Sequence, residues 1–180
     1  MDRRCAPLPA RAAWDRDLDV PLEEAQWNRV CAHMKTISSN FGLKLIHFNY
    51  IHRAYVTPVP QHRMDRSRPT ACPRCQHPLA TFLHLAWSCP EVLVFWIGVI
   101  ERVRTVANLP ELLDPVFCLL GDIPRKKGLR ISYKFLQLLF LLAKRRVAIT
   151  WMAVVAPSLN RWIGDVLEWA VGADVRMKLY

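Results

Sequence analysis

The chain has 180 residues, a formal net charge of +10 and an apolar fraction of 52%. So large an apolar fraction supports a packed interior and excludes a disordered tail. No apolar signal-peptide core follows the start, and charged residues 144–146 interrupt the most apolar stretch, residues 135–156. These features predict a protein that is not secreted, has no membrane span, and resides in the nucleus or cytoplasm with reduced cysteines.

The positive charge is concentrated in two segments of the chain. Residues 44–74 carry six Lys or Arg against one acid, and residues 125–146 carry eight with no acid. Segments of one sign suit a polyanion, either nucleic acid or an anionic membrane surface. A solubilising surface without a partner is the alternative.

The N-terminal region is polar before it becomes helical. Residues 1–18 contain prolines and mixed charges and are expected to form a flexible N-terminal arm. Residues 19–70 are expected to form a helical segment rich in basic and aromatic side chains, with a first helix starting near Asp19. Apolar residues then recur at the spacing of one buried helical face. They are Trp27, Val30, Cys31 and Met34.

A second helix is expected over residues 43–55, after a break at Ser38, Ser39 and Asn40 that also offers its N-cap. Pro58 and Pro60 should stop this helix, because proline excludes the helical conformation at its own position and just before it. The following residues 61–71 are expected to be turn-like and basic.

Residues 91–180 are expected to form a C-terminal helical segment. One helix should follow Pro90 and end at Asn108, and a long central helix should cover residues 131–155. Lys144, Arg145 and Arg146 are expected on its solvent side. A last helix should follow Pro157. The overall prediction is a mainly α fold, a helical domain with a small CCHC zinc-knuckle insert.

That insert, residues 71–90, contains the spacing Cys72-x2-Cys75-x8-His84-x4-Cys89. Three thiolates and one imidazole suit one Zn²⁺ ion in a closed, structural site, which leaves no position for a catalytic water. His77 is an alternative fourth ligand, although it follows Cys75 by only two residues, so the short turn makes it difficult for both side chains to reach one ion. Unrelated polar residues around reduced core cysteines are the other alternative. If zinc binds, its removal should unfold at least residues 70–90.

Several stretches resemble one protein family. They are residues 45–58 (LIHFNYIHRAYVTP), 62–64 (HRM), 72–75 (CPRC) and 82–90 (FLHLAWSCP), with a weaker match to the C-terminal end. With them, the chain resembles over about residues 20–180 the C-terminal zinc-binding segment of LINE-type (non-LTR) retrotransposon reverse transcriptases. The resemblance implies a zinc-binding module that follows a polymerase and helps to hold template RNA or target DNA. It also implies Cys72, Cys75, His84 and Cys89 as the metal ligands.

Unlike a complete protein of that family, this sequence contains neither polymerase nor endonuclease motifs. A polymerase needs a pair of carboxylates for its two metal ions, and the chain has no Asp-Asp or Asp-Glu pair and no endonuclease signature. We therefore expect no enzyme but a zinc-stabilised module that binds RNA or single-stranded DNA. A protein-interaction module, whose Trp-rich helices pack on a polymerase domain or another protein, is one alternative. A retrotransposon relic without function is the other.

Candidate nucleic-acid contacts come from the basic segments. The expected contacts are Arg53, His62, Arg63, Arg66, Arg68, Arg74, Arg125, Lys126 and Lys127. The rings of His47, Tyr50, His52 and Tyr55 are candidates for stacking on bases. The alternative is that the two tyrosines belong to the core and the histidines are incidental.

Overall fold

A computed structural model describes residues 9–18, 21–109, 114–123 and 129–177. Over these ranges the chain is helical and has no β-strand, which confirms the predicted mainly α fold. The α-helices are α1 Pro9–Leu18, α2 Glu24–Thr36, α3 Phe41–Ile51, α4 Pro58–Met64, α5 Pro90–Ala107, α6 Tyr133–Ile149 and α7 Leu159–Met177. Single π-helical turns occupy His84–Ser88 and Val116–Leu120. Of the helices in these ranges, none combines the length and the hydropathy that crossing a bilayer requires.

Helix α1 corrects the prediction of a flexible N-terminal arm. Its Trp14 side chain is fully buried, and the indole Nε1 donates a hydrogen bond of 2.9 Å to the carbonyl of Ile51. The charges that suggested a solvated arm also have partners, since Asp15 accepts the N–H of Leu22 at 2.8 Å. Residues 1–8 lie outside the described part of the chain.

In helices α2 and α3 the predicted apolar face and the predicted N-cap are both present. In α2, Trp27 and Val30 are buried, so the predicted apolar stripe faces the core. This helix begins at Glu24, whereas the prediction placed its start near Asp19. Asn40 caps α3 as predicted, because its side-chain oxygen accepts the N–H of Leu43 at 3.1 Å.

The prolines after α3 start a helix instead of only ending one. Helix α3 ends at Ile51, earlier than the predicted Tyr55, and Arg53 adopts a positive φ of 54°. Pro58 then occupies the first position of α4, where proline is tolerated because the first N–H groups of a helix have no intrahelical acceptor. Part of the segment predicted to be turn-like is therefore helical.

Helix α6 is central, as predicted, and contacts α3, α5 and α7. It covers Tyr133–Ile149, so both ends of the predicted range 131–155 lie outside the helix. Leu136, Leu141 and Leu142 are almost completely buried along it. Because apolar contacts surround α6, it anchors the rest of the fold.

A cluster of aromatic rings connects residues 71–90, which we call the knuckle, to these helices. The ring centroid of Phe82, within the knuckle, lies 5.1 Å from that of Trp151 and 6.0 Å from that of Tyr50. Trp14 contacts Phe82 edge-on at 5.7 Å, and Tyr55 lies 5.0 Å from Trp151. Such ring pairs add to the stabilisation from buried area. The knuckle is thereby packed against α1, α3 and the segment after α6.

Candidate metal centre

The fold brings the four predicted ligands together. The ligand atoms of Cys72, Cys75, His84 and Cys89 all lie within 4.8 Å of one another. The two Sγ atoms of Cys72 and Cys89 are 3.9 Å apart, and the Sγ of Cys75 lies 3.3 Å from Nε2 of His84. These four side chains are positioned to bind a metal ion.

A tight turn holds the first two ligands. The N–H of Gln76 donates to the carbonyl of Cys72 at 3.0 Å, and the N–H of Cys72 donates to the carbonyl of His77 at 2.8 Å. Gln76 closes the turn with a φ of 60°, in the left-handed region that few residues other than glycine adopt readily. This backbone directs Cys72 and Cys75 towards the same point.

The other two ligands lie at either end of a π-helical turn. The N–H of Cys89 donates to the carbonyl of His84 at 2.8 Å and closes the turn His84–Ser88. Cys89 also caps α5, with Pro90 at the first helical position. Its thiol therefore lies at a helix N-terminus, where the helix dipole favours negative charge.

Burial and hydrogen bonds shift the pKa values of His84, Cys89 and Cys72. Burial lowers the pKa of His84, helped by the nearby His77 and Arg74, so the imidazole stays neutral and keeps a lone pair for a metal. Burial raises the pKa of Cys89 to about 11. At Cys72 burial also acts to raise the pKa, but hydrogen bonds, first from the backbone N–H groups of Cys75 and Arg74, outweigh it and the pKa is lowered.

His77, the alternative ligand, lies beside the four-ligand cluster and is not one of its members. Its ring stacks on that of His84 with centroids 4.9 Å apart, and its Nδ1 lies 3.2 Å from the carbonyl oxygen of Leu79. The side chain is exposed. The structure therefore favours His84 as the fourth ligand.

Polar contacts fix the metal centre to the helical body. The guanidinium of Arg74, between the first two ligands, donates hydrogen bonds to the carbonyls of Thr150 and Trp151 just after α6. On the other side, the indole Nε1 of Trp96 in α5 donates to the carbonyl of Ala86 at 2.9 Å. The ligands are thus held by packing as well as by their own turns.

The predicted nucleic-acid contacts fall into two groups, and the first is at the surface. Arg63, Arg66 and Arg68 are exposed on α4 and the segment that leads to Cys72. Arg68 forms a salt bridge of 3.5 Å with Asp65, and both side chains are more than half exposed. His62 is half-buried, and its Nδ1 lies 2.6 Å from the carbonyl oxygen of Arg68. Arg63, Arg66 and Arg68 can meet a polyanion in solution.

The second group stabilises the fold. Arg53 forms a salt bridge of 2.5 Å with Asp17, and its guanidinium lies 5.1 Å and 4.9 Å from the ring centroids of Trp14 and Phe82. Arg74 is bound to backbone carbonyls as described above. Both guanidinium groups therefore make their contacts inside the protein. Residues Arg125, Lys126 and Lys127 lie outside the described part of the chain.

The rings proposed for base stacking are mostly internal. His47 and Tyr50 are fully buried and Tyr55 packs at the edge of the core, so the alternative interpretation of the two tyrosines as core residues is the correct one. His52 is half-exposed and stacks on Phe48, with centroids 4.2 Å apart. Phe48, 46% exposed on the outer face of α3, was not among the stacking candidates.

The basic residues near the end of α6 contradict their predicted position on the solvent side. Lys144 is 1% exposed, and its Nζ lies 2.6 Å from Nδ1 of His47 and donates to the carbonyl of Leu119 at 3.1 Å. Arg145 and Arg146 both bind the buried carboxylate of Asp165 in α7. Partners on other elements explain why Lys144 is buried and why only 20% of the Arg146 side chain is exposed, whereas Arg145 keeps 38% of its side chain in solvent.

The resemblance to a retrotransposon segment rests on the stretches quoted from the sequence and stays a prediction. The geometry adds a cluster of three cysteines and one histidine that is able to hold a metal ion. Compared with the models of known protein families, the chain matches none.

Proposed function

We propose that the cluster binds one Zn²⁺ ion in a closed, structural site. In a tetrahedral zinc site with Zn–S bonds of about 2.3 Å, two sulfur atoms lie about 3.8 Å apart. The corresponding distance between Cys72 and Cys89 is 3.9 Å, so little movement is needed to accept the ion. Three thiolates and one imidazole are also a donor set typical of zinc. The segment of residues 71–90 is then a CCHC zinc knuckle.

We infer that this zinc-stabilised protein is a non-enzymatic module that binds RNA or single-stranded DNA. The observation that carries the proposal is the exposed arginine cluster of Arg63, Arg66 and Arg68, directly before the first metal ligand. Asp65 is the only acid in residues 44–74. Arginine side chains in such a cluster suit the phosphates of a nucleic acid. The resemblance to a retrotransposon segment points to the same class of partner.

A structural role for the metal supports the non-enzymatic part of the proposal. Four protein ligands complete a tetrahedron and leave no coordination position for a water or a substrate. Cys72 and Cys89 are fully buried and His84 is 8% exposed, so solvent has little access to the ion. A metal in this site would therefore act by holding the knuckle and the adjoining arginine cluster in place.

The test is the affinity for a fluorescent single-stranded RNA, measured by anisotropy over a series of salt concentrations. The zinc-loaded protein should bind with a steep salt dependence. The double variant Arg66→Glu/Arg68→Glu should bind more weakly, and the slope of log affinity against log salt should fall by at least about 1.4, since each lost contact contributes about 0.7.

A matched control makes the same change of charge at a distance from the knuckle. Arg102 and Arg161 are exposed on α5 and α7, so Arg102→Glu/Arg161→Glu alters the net charge equally. This control should lose less affinity and keep its salt slope. Equal slopes in the wild type and the Arg66/Arg68 variant would refute the arginine cluster as the binding surface.

Exposed apolar residues on α5 and α7 favour a second candidate function, the binding of another protein. Val94 on α5 and Leu167 and Val171 on α7 are more than half exposed. Leu167, together with Phe135 and Trp162, lines a largely apolar groove of about 450 Å³. Such surfaces suit packing against a polymerase domain or another protein. Self-association at micromolar concentration, seen by sedimentation, together with weak RNA binding would favour this function.

A further inference from the structure

Helix α3 exposes apolar side chains along one face. Phe41 is 78% exposed, and Leu45 and Phe48 are each 46% exposed. With His52 just beyond the helix, these residues follow one another at intervals of four, three and four, so they share one face. The ring of Phe48 lies against that of His52, with centroids 4.2 Å apart. We call these four residues the α3 stripe.

The opposite face of α3 already forms the core contacts of the helix. Leu43, His47, Tyr50 and Ile51 are buried there, where α3 contacts α2 and α6. The α3 stripe therefore contributes little to folding, and exposing two phenylalanines has a cost that a binding role would explain.

Charge around the α3 stripe favours an anionic partner. Residues 41–64 contain no Asp or Glu, whereas Lys44 lies on α3 and Arg63 on α4. At the start of the stripe, Glu168 lines a surface cavity together with Ser39 and Asn40. At the other end, the carboxylate of Asp17 is paired with the guanidinium of Arg53, next to His52. The His52 end leads along the chain to the arginine cluster. An anionic partner should therefore bind most closely at the end that holds Phe48 and His52.

We propose that the α3 stripe stacks on the unpaired bases of a single-stranded nucleic acid whose phosphates contact the arginine cluster. This rests on the proposed function. Proteins that bind single strands combine a basic surface with aromatic rings on which bases stack, largely regardless of sequence. From Phe41 to His52 the stripe runs about 16 Å along the helix axis, which is long enough for more than one base. A protein partner would use the apolar side chains but would gain little from the surrounding positive charge.

The experiment compares two strands of equal length, oligo-thymidine and an abasic oligonucleotide with the same phosphates. The zinc-loaded full chain should bind oligo-thymidine about tenfold or more tightly than the abasic strand. Phe41→Ala/Phe48→Ala should lose most of that preference while its salt slope stays unchanged. The exposed pair Val154→Ala/Val155→Ala is the control, and it should keep the preference.

The outcomes separate this proposal from the proposed function. If the wild type binds both strands equally and with a steep salt slope, the stacking surface is refuted while nucleic-acid binding stands. If it binds neither strand, the stacking proposal is refuted, and if it also fails to bind single-stranded RNA, the proposed function is refuted as well. If Phe41→Ala/Phe48→Ala abolishes self-association and leaves the base preference intact, the α3 stripe is a contact between copies of the chain, and the stacking proposal is wrong.

Discussion

The knuckle, residues 71–90, and the helical body formed by α2, α3, α5, α6 and α7 are stabilised in different ways. The body surrounds α6 with buried apolar side chains such as Leu136 and Leu141. The knuckle has one π-helical turn and a few backbone hydrogen bonds, with its four ligands facing a common point. The body can fold by burial of apolar surface, whereas the proposed zinc ion would join the two ends of the knuckle and supply much of its folding free energy.

The two regions are nevertheless in contact. Phe82 belongs to the aromatic cluster around Tyr50 and Trp151, and Arg74 binds the backbone after α6. Loss of the metal should therefore loosen the edge of the body next to the knuckle and leave the contacts between α3 and α6 intact.

The largest effect is expected from removing the metal. Binding of a structural zinc ion contributes about 10–16 kcal/mol of apparent free energy in small zinc-binding peptides, and in such sites it is folding free energy. Chelation, or the variant Cys89→Ala, should abolish the protection of residues 71–90 in hydrogen-exchange mass spectrometry. Amides of α6 should stay protected. Unchanged protection of the knuckle after chelation would contradict a metal-dependent fold.

Trp14→Ala should weaken the packing of α1 against the body and the Phe82 side of the knuckle, while the four candidate ligands stay in place. Its side chain is fully buried against Phe82 and Arg53, so truncation should reduce the free energy of unfolding by about 3–5 kcal/mol, as other buried aromatic truncations do. Urea denaturation measures this, and the metal content of the folded variant should be unchanged. Phe41→Ala, at an exposed ring, is the control and should change stability by less than about 1 kcal/mol.

Stability should rise with pH because of Lys144. Burial lowers the pKa of this lysine to about 7 in the folded chain, from an ordinary value of 10.5. Between these two values the unfolded chain binds the proton and the folded chain does not, so the free energy of unfolding increases with pH. The expected gain from pH 7 to pH 9 is about 2 kcal/mol.

The variant Lys144→Met isolates this contribution. It should flatten the dependence of stability on pH, measured by urea denaturation at pH 7, 8 and 9. The groups that face Lys144 are the imidazole of His47, whose pKa burial also lowers, and the thiol of Cys118, whose pKa burial raises. A pH dependence that is the same in Lys144→Met and the wild type would assign the effect to other groups.

The smallest effect is expected at His77. This side chain stacks on His84 from outside the cluster, so His77→Ala should leave one metal ion bound. His84→Ala is the matched change at a ligand and should lower metal affinity strongly. A competition titration with a chromophoric chelator measures both. A larger loss in His77→Ala than in His84→Ala would exchange the roles of the two histidines.

Local signals in the sequence predicted the candidate site well. The four ligands lie within a short segment, so their spacing alone limits how they can be arranged. The cap at Asn40 and the helix that starts at Pro90 also depend on residues only a few positions away. Cys89 belongs to the candidate site and also occupies the N-cap position of α5, next to Pro90.

Contacts between distant parts of the chain explain what the sequence did not reveal. Trp14 is fully buried, and its indole N–H donates a hydrogen bond to the carbonyl of Ile51, 37 residues away. The polar residues next to Trp14 in the sequence therefore wrongly indicated a flexible arm. Lys144 is accommodated by His47 and Leu119, at separations of 97 and 25 residues. A count of charges cannot distinguish an arginine that binds a backbone carbonyl, such as Arg74, from one that faces solvent.

The most direct test of the metal centre is native mass spectrometry of the full chain purified without added chelator. The wild type should carry one zinc ion per chain, and Cys75→Ser should lose most of it, whereas the control Cys31→Ser should retain it. A folded wild type without bound metal, or a zinc content unchanged by Cys75→Ser, would contradict the zinc knuckle on which the proposed function depends.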